Sequence, residues 1–587
     1  MEKSNTNERL HRLRAYMNRM GIDVCIIPST DPHQSEYPAS QWGLRAYLSG
    51  FTGSAGTLAV SNSEAHLWTD SRYFLQAETQ LSGSSIQLQR MGNHGVPDLL
   101  DWLKSQKPSV VGLDGRLFNY DYVQKLETLL PGSRFLLQAP AYETLWPERP
   151  KAPSASIQAF PLEHNGRSSL DKLTDLRLAL HHLGAQDQII ASLDEIAWLL
   201  NLRGRDIRYN PVFESYVWLN ETDCILFVQT EKLDATAQQS LREAGVKTTP
   251  YNSFYDFLKT IRSKGLLTDF NTLNASVIAL LKENCTLINQ ASPIALMKAC
   301  KNPVELNGFR NAMRAEGIAL TRWLHWLEQK SLGSNEYECS KQLETFRTLC
   351  PDYIEESFSS IVGFKANGAI VHYEATAEQA EPIHGEGALL VDVGGHYKYG
   401  TTDCTRSIYL HGKPSSDYKR DYTDLLKGLI ALSTARFPQG TRGSQLDVLA
   451  RQFLWQRQEN YLHGTGHGVG HCLNVHEGPQ SIRMNENPTP LRCGMVVSNE
   501  PGLYRTGQYG IRLENLLCVQ EYGSFLQFET LTLCPFETTC IDTKQLHAHE
   551  IQWINHYHQH VYHTLSEALD EEVRSWLYKK TKPIQQQ

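Results

Sequence analysis

The chain has 587 residues, a formal net charge of −8 at pH 7, and 41% hydrophobic against 20% charged residues. That length is too great for one core and implies three domains, while the composition is that of an ordinary globular chain. A net-acidic chain lacks the basic face that nucleic-acid phosphates require, and no run approaches the roughly 18 consecutive apolar residues of a membrane helix, so neither nucleic acid nor membrane is expected as a partner.

In chain order, MEKSNTNERLHRLRAYMNRMGID reads as an amphipathic helix without the apolar segment of a secretory signal. The 12 cysteines are scattered without a CxxC pair, so they are expected reduced and mostly buried, which suits a cytoplasmic location. Without an export signal, the sequons at Asn220, Asn274 and Asn284 read as chance matches. Asp23 to Pro28 reads as a buried strand, Leu58 to Phe74 as a hairpin and Val110 to Gly115 as another strand, an α/β pattern. The Gly-rich stretch from Phe51 to Val60 matches neither phosphate-loop pattern. Arg72, at a strand end in TDSRYF, is either salt-bridged or reaches into a neighbouring cleft.

Trp146 to Phe160 concentrates Pro, Ser and charge and reads as a linker. A second α/β pattern follows: a helix from Asp175 to Ala185, a strand-to-helix unit in IIASLDEIAWLL, and a strand from Asp223 to Thr230. The similar run of elements raises the possibility of a shared fold for the first two domains. Asp194 and Glu195 read as helix-start residues. At Asn302 a third unit opens, with Asn302, Pro303 and Glu305 fitting N-cap, first-turn proline and reciprocal N3 acid of a helix ending near Gly333. The last segment, HEIQWINHYHQHVYHTLSEALDEEVRSWLYKK, reads as an amphipathic surface or interface helix. Its His556, His558, His560 and His563 lack partner carboxylates at metal-site spacing. The domains are thus 1–158, 159–301 and 302–587.

The chemistry lies between Asp392 and Glu514. LLVDVGGHYKYGTTDCTRSIYL reads as a hairpin with Asp392 and Asp403 on either side of its turn. VVSNEPGLYRTGQYGIRLENLLCV reads as another, with Glu500 and Glu514 symmetric about Gly507. Between them YLHGTGHGVGHCLNVHEGP offers His463, His467, His471 and His476 among glycines. Carboxylates facing each other across a strand pair repel unless a cation or shared proton relieves them, so two such pairs beside imidazoles suggest two divalent metal ions. A ligand set of four carboxylates and one imidazole without thiolate is oxygen-rich and favours Mn2+, with Co2+, Fe2+ or Zn2+ as alternatives.

These motifs resemble the pita-bread metallopeptidases, and among them the long, three-domain Xaa-Pro aminopeptidases. FTGSAGT and LWTDSRYF are similar to that family's first creatinase-like α/β domain, and LDEIAWLLNLRGRDIRYNPVF to its second. GAIVHYEAT, VDVGGHYKYGTTDCTR, YLHGTGHGVGHCLNVHEGP, SNEPGLY and GIRLEN are similar to its α+β catalytic domain. The resemblance implies Asp392, Asp403, His467, Glu500 and Glu514 as metal ligands. Asp403 and Glu514 would bridge two ions, His467 and Glu500 would complete one site and Asp392 the other. It implies His372, His463 and His476 as catalytic, substrate-facing histidines and leaves His471 structural; Arg72, through its reach into a neighbouring cleft, is a separate substrate-binding candidate. Glu500 would also carry a proton from the nucleophile toward the leaving nitrogen. The implied substrate is a peptide with proline at position two, and a homodimer is expected. Tyr399 stands where many relatives have aspartate, and Arg208 where they often have proline. The rivals are prolidase and methionine aminopeptidase on the same fold, or a non-catalytic binding module.

Overall fold

The computed structural model describes residues 4–586, in two compact units. The first comprises residues up to Leu162 with Arg167–Ala295; the second comprises Glu163–Gly166 with the chain from Leu296 onward.

The first unit is built on two six-stranded sheets. One has the order Gln87–Arg90, Ala65–Thr69, Thr57–Ser61, Val24–Ile27, Val110–Leu113, Arg134–Leu136. The other has the order Lys247–Pro250, Cys224–Val228, Ser215–Asn220, Asp187–Ile190, Ser263–Thr268, Cys285–Asn289. In both, the fourth strand of that order is antiparallel to the third and parallel to the fifth, and the outer strands also run in matching senses. The two halves therefore share one fold. Both fourth strands are buried along their whole length, as strands covered on two faces must be. Asp194 and Glu195 fall in the first turn of helix Leu193–Leu199, as expected. Asn274 caps helix Ala275–Lys282, fully buried, its side chain also donating to the Pro32 carbonyl at 2.9 Å, so no glycan can reach it.

The second unit opens with helix Pro303–Lys330, whose start is as the sequence implies. The Asn302 side chain accepts from the Val304 and Glu305 amides, the Glu305 carboxylate accepts from the Asn302 amide at 2.9 Å, and Pro303 occupies the first turn. Gly308 lets this helix press onto the Gly395–Tyr397/Gly400–Thr401 ladder, since a Cβ there would sit 2.1 Å from the Tyr399 carbonyl. Gly387–Val393 lies between Ile361–Phe364 and Cys404–Leu410. A larger sheet has the order Arg436–Pro438, Phe525–Thr530, Asn515–Tyr522, Val496–Asn499, Gly466–Gly468, Glu477–Ile482. Helices Ser416–Ser433 and Gly443–Trp455 pack on each other behind these strands. Helix on one side and strand on the other thus hold the central strands that carry Asp392, Asp403, His467, Glu500 and Glu514 or end beside them.

The C-terminal segment differs from the single surface helix expected. It is two helices, Ala548–Leu565 and Glu571–Lys580, because Asp570 caps the second by accepting from the Val573 amide. His556, His560 and His563 are exposed, but His558 is fully buried and its Nε2 accepts from the Phe536 amide at 3.1 Å. Burial holds its imidazolium form down, to a pKa of about 4.

Candidate metallopeptidase site

The two acid pairs reach each other by different routes. Val496–Asn499 and Gly502–Arg505 run against Tyr509–Arg512 and Asn515–Tyr522 in one continuous register, with Asn499 facing Asn515 and Gly502 facing Arg512. Glu500 and Glu514 therefore face each other, and the ribbon folds about Gly507 at a φ of 75°. The other pair is offset. Asp392 faces Thr405, and Asp403 lies two residues earlier, at the diagonal position on the same face. The hairpin the sequence suggests is present: the Gly395–Tyr397/Gly400–Thr401 ladder keeps the register in which Asp392 faces Thr405, and it closes at Lys398 and Tyr399, one residue beyond the midpoint between the two acids.

His467 joins these acids from strand Gly466–Gly468. Ligand atoms of Asp403, His467 and Glu514 all lie within 4.8 Å of one another. His467 Nε2 is 3.5 Å from Asp403 Oδ2 and 3.6 Å from Glu500 Oε1, while its Nδ1 faces the Gly468 carbonyl at 2.9 Å. That carbonyl accepts the Nδ1 proton, so Nε2 is the ring nitrogen left facing the two carboxylates. An imidazole nitrogen and carboxylate oxygens converging at this spacing form a donor set that a divalent cation can share. The acids are otherwise held from outside: Thr405 Oγ1 donates to Glu514 Oε2 at 2.8 Å, and the Ser498 hydroxyl lies 3.3 Å from Glu500 Oε1.

The charges have no adequate compensation within the protein. Burial, then the neighbouring Asp392 and Glu500 charges, push the Asp403 carboxyl well above the usual range. Glu514 is pushed up in the same way, by burial and then by Asp403, Asp392 and Glu500. Glu500 is also raised, burial outweighing the pull of His467 and Arg512. Asp392 Oδ2 takes Arg512 Nη2 at 2.5 Å, but its buried Oδ1 accepts no hydrogen bond. An oxygen-rich donor set, an orphaned carboxylate oxygen and an imidazole nitrogen facing the acids together fit divalent cations.

A hydrogen-bonded ring surrounds this cluster. Arg512 donates through Nη1 to the Tyr504 hydroxyl at 2.8 Å and through Nη2 also to the Val371 carbonyl at 3.3 Å, one residue before His372. Tyr504 in turn meets His463 Nε2 at 2.8 Å, and His463 Nδ1 faces the Gly464 carbonyl at 2.7 Å. The His476 ring stands edge-on to His467, with centroids 4.4 Å apart. Behind His463, buried Arg451 donates to its carbonyl at 2.9 Å and to Asp447 at 2.6 Å, and Asp447 accepts from Thr465, whose carbonyl takes the Glu500 amide at 2.7 Å. Arg512 and Tyr504 are functional residues that the sequence reading did not single out. A signal for Arg512 was present: it lies two residues before Glu514 on an extended segment and so shares its face.

The remaining residues have local partners of their own. His471 Nε2 meets the Tyr399 carbonyl at 2.8 Å against helix Pro303–Lys330. Tyr399 stacks near Tyr397, ring centroids 6.3 Å apart, and adds no carboxylate to the site. Arg208 lies over the Tyr209 ring at 4.5 Å. Arg72, in the first unit, forks onto Asp70 with two hydrogen bonds of 2.8 Å, the salt-bridged arrangement.

Comparison with known proteins agrees with this chemistry. Residues 307–521 match metallopeptidase family M24, and 524–584 match the C-terminal region of that family. Residues 9–145 and 148–305 each match creatinase/prolidase N-terminal domains. Fold and site together define a pita-bread metallopeptidase preceded by creatinase-like α/β domains. The chain is 38% identical to aminopeptidase P2 of Arabidopsis thaliana, over 98% of this chain and 88% of that protein. It is 39% identical to a probable Xaa-Pro aminopeptidase P of Laccaria bicolor, over 99% and 94%. The crystal structure of an X-prolyl aminopeptidase from Caenorhabditis elegans, described as a cytosolic enzyme with a di-nuclear active site, matches with a TM-score of 0.93 at 32% identity, covering 99% of this chain and 100% of that one. A Pyrococcus horikoshii prolidase shares the fold at a TM-score of 0.51 and 21% identity, covering 62% of this chain and 99% of that one. The chain belongs to the Xaa-Pro aminopeptidase family of the M24 metallopeptidases.

Proposed function

We propose that this chain is a dinuclear metal aminopeptidase that releases the first residue from peptides with proline in second place. The observation that carries the reading is the convergence of Asp403, His467 and Glu514, whose ligand atoms all lie within 4.8 Å of one another, with Glu500 3.6 Å from His467 Nε2. Asp392, Asp403, His467, Glu500 and Glu514 would hold two divalent cations, Mn2+ being favoured by the oxygen-rich set. Asp403 and Glu514 would be shared between the ions, His467 and Glu500 would complete one site and Asp392 the other. When bound, such ions polarise the scissile carbonyl and lower the pKa of water.

The side chains divide the remaining work. Glu500, whose carboxyl is raised by burial, takes the proton of the attacking water and passes it toward the leaving nitrogen. His476 and His372 donate to the carbonyl oxygen as charge develops on it, and loss of one such donor costs about 100- to 1,000-fold in rate. His463 is oriented by Tyr504 at 2.8 Å to meet the peptide. Arg72 enters as a further substrate contact. The proline preference comes from the family; a proline nitrogen carries no N–H, so the leaving side needs no backbone acceptor.

The proposal includes three domains (1–158, 159–301 and 302–587), a homodimer and a cytoplasmic location. The repeated strand order supports the first two domain boundaries, and the similar X-prolyl aminopeptidase described as a cytosolic enzyme supports the location. Among the described residues no helix is long and apolar enough to cross a membrane.

The test is chelation followed by assay of an Ala-Pro-Pro-type peptide and readdition of Mn2+. Activity should vanish and return, with two ions per chain by elemental analysis. Undiminished hydrolysis by stripped protein would refute the metal role, and cleavage of Ala-Pro alone would shift the reading to prolidase. Metal binding without hydrolysis of either would make the chain a binding module.

A further inference from the structure

Glu336 stands at the first position of helix Glu336–Arg347, where a glutamate ordinarily serves the helix dipole from the surface. Here it does not. Its side chain is fully buried and gathers donors from one distant stretch of chain. Oε1 accepts from the Phe364 amide at 2.6 Å, and Oε2 from the Tyr373 hydroxyl at 2.6 Å and the Glu381 amide at 2.9 Å. Asn367 Nδ2 reaches both oxygens at 3.1 Å and the Tyr373 hydroxyl at the same distance. The Glu336 amide closes the loop base by donating to the Glu381 carbonyl at 3.1 Å. A buried carboxylate satisfied this fully is expensive to disturb, and everything it holds belongs to the segment that carries His372.

That segment has little regular structure of its own between the short helical turn Lys365–Ala369 and strand Gly387–Val393. His372 sits between two tethers. Before it, the Val371 carbonyl accepts from Arg512 Nη2, the group that also holds Asp392. After it, the Tyr373 hydroxyl donates to Glu336. One tether leads to the acid cluster and the other to the helix on the far side.

We infer that the Glu336–Tyr373 hydrogen bond is a positioning device for His372, fixing the imidazole against the peptide carbonyl from the side opposite Arg512. The inference rests on the aminopeptidase reading, and it assigns a role to two residues that touch neither metal ligands nor substrate. Removing the Tyr373 hydroxyl frees the backbone that aims His372 while leaving the imidazole, the acid cluster and Arg512 in place. The loss belongs to kcat, because positioning a donor matters where charge develops.

The experiment is a double-mutant cycle on the metal-loaded full chain, with Tyr373→Phe, His372→Ala and the pair, assayed on an X-Pro-Pro peptide with metal content measured in parallel. Tyr373→Phe is expected to lower kcat about 10- to 100-fold, as a misplaced group of about an ångström does, with KM little changed and metal content unaltered. In the His372→Ala background the same substitution should cost nothing further, since the group it aims is gone. Glu336→Gln, which puts an amide donor among donors, should reproduce the kcat loss, and Tyr373→Phe serves alone if that variant fails to fold. Two full, additive losses, or a neutral Tyr373→Phe, would overturn the inference. An inactive wild-type enzyme would instead overturn the function itself, and it would be seen before any variant is made.

Discussion

Arg512 shows how much one guanidinium does in this site. It holds Asp392 Oδ2, the Tyr504 hydroxyl and the Val371 carbonyl at once, besides Thr405 Oγ1 at 3.4 Å. A planar fork can serve them together, whereas a lysine ammonium on a flexible stem cannot keep all three. Arg512→Lys should therefore let Asp392 reorient, and metal affinity should fall about 10- to 100-fold, as when an outer partner of a ligand is lost. Competition titration against a chelating dye measures this; unchanged affinity would mean that Asp392 is held by something other than Arg512. The acid residues were legible because each recurs in a motif, and Arg512 was legible in principle from its two-residue offset. Glu336 was not. Nothing in its own neighbourhood distinguishes a helix-start glutamate that faces solvent from one that faces inward, and its partners lie 28 to 45 residues away.

Elements were legible where the determining chemistry is local. Asn302, Pro303 and Glu305 specify the start of helix Pro303–Lys330 by themselves, and the reciprocal hydrogen bonds are all made. The Glu500/Glu514 ribbon follows from its symmetry about Gly507, because its two halves keep one register. The Asp392/Asp403 pair is diagonal because its hairpin closes at Lys398 and Tyr399, one residue beyond the midpoint between the acids, an offset that the glycines and polar residues around the turn do not announce. The C-terminal helix broke for the local reason that Asp570 caps a second one. The cap at Asn302 carries a prediction of its own. Asn302→Ala removes the acceptor for two amides and also the Nδ2 donor to the Asn165 carbonyl at 2.7 Å. Loss of such a cap costs about 0.5–2 kcal/mol, and the extra donor places this one toward the upper end. Calorimetry should show a lower Tm with kcat unchanged; an equal loss of kcat would show that the helix start also supports the site.

Across the whole molecule, the repeated α/β pattern proved to be two sheets of one strand order, yet the sequence carries no signal for which histidines end up neutral and enclosed. Each unit offers an example. In the first, burial outweighs the nearby acids and lowers the His33 pKa to about 4, with Nε2 on the Tyr251 hydroxyl at 2.9 Å and Nδ1 on the Ala191 carbonyl at 3.0 Å. In the second, burial and then Arg406 hold His558 down to about 4. The unfolded chain protonates these rings near pH 6.5, whereas the native rings stay neutral until about pH 4. Their contribution to stability is thus fully present above pH 6.5 and is lost as the pH falls through that window, because there the unfolded state binds more protons. For one such ring the loss between pH 8 and pH 5 is about 2 kcal/mol. His558→Gln keeps an acceptor for the Phe536 amide and removes the titration. The thermal midpoint of the metal-loaded variant should fall less between pH 8 and pH 5 than that of the wild type, even if its midpoint at pH 8 is lower. Protons also compete for the acid cluster at pH 5, but that term is common to both proteins and cancels in the comparison. Parallel pH profiles for the two would mean that His558 titrates alike in the folded and unfolded chain, and that acid sensitivity originates elsewhere.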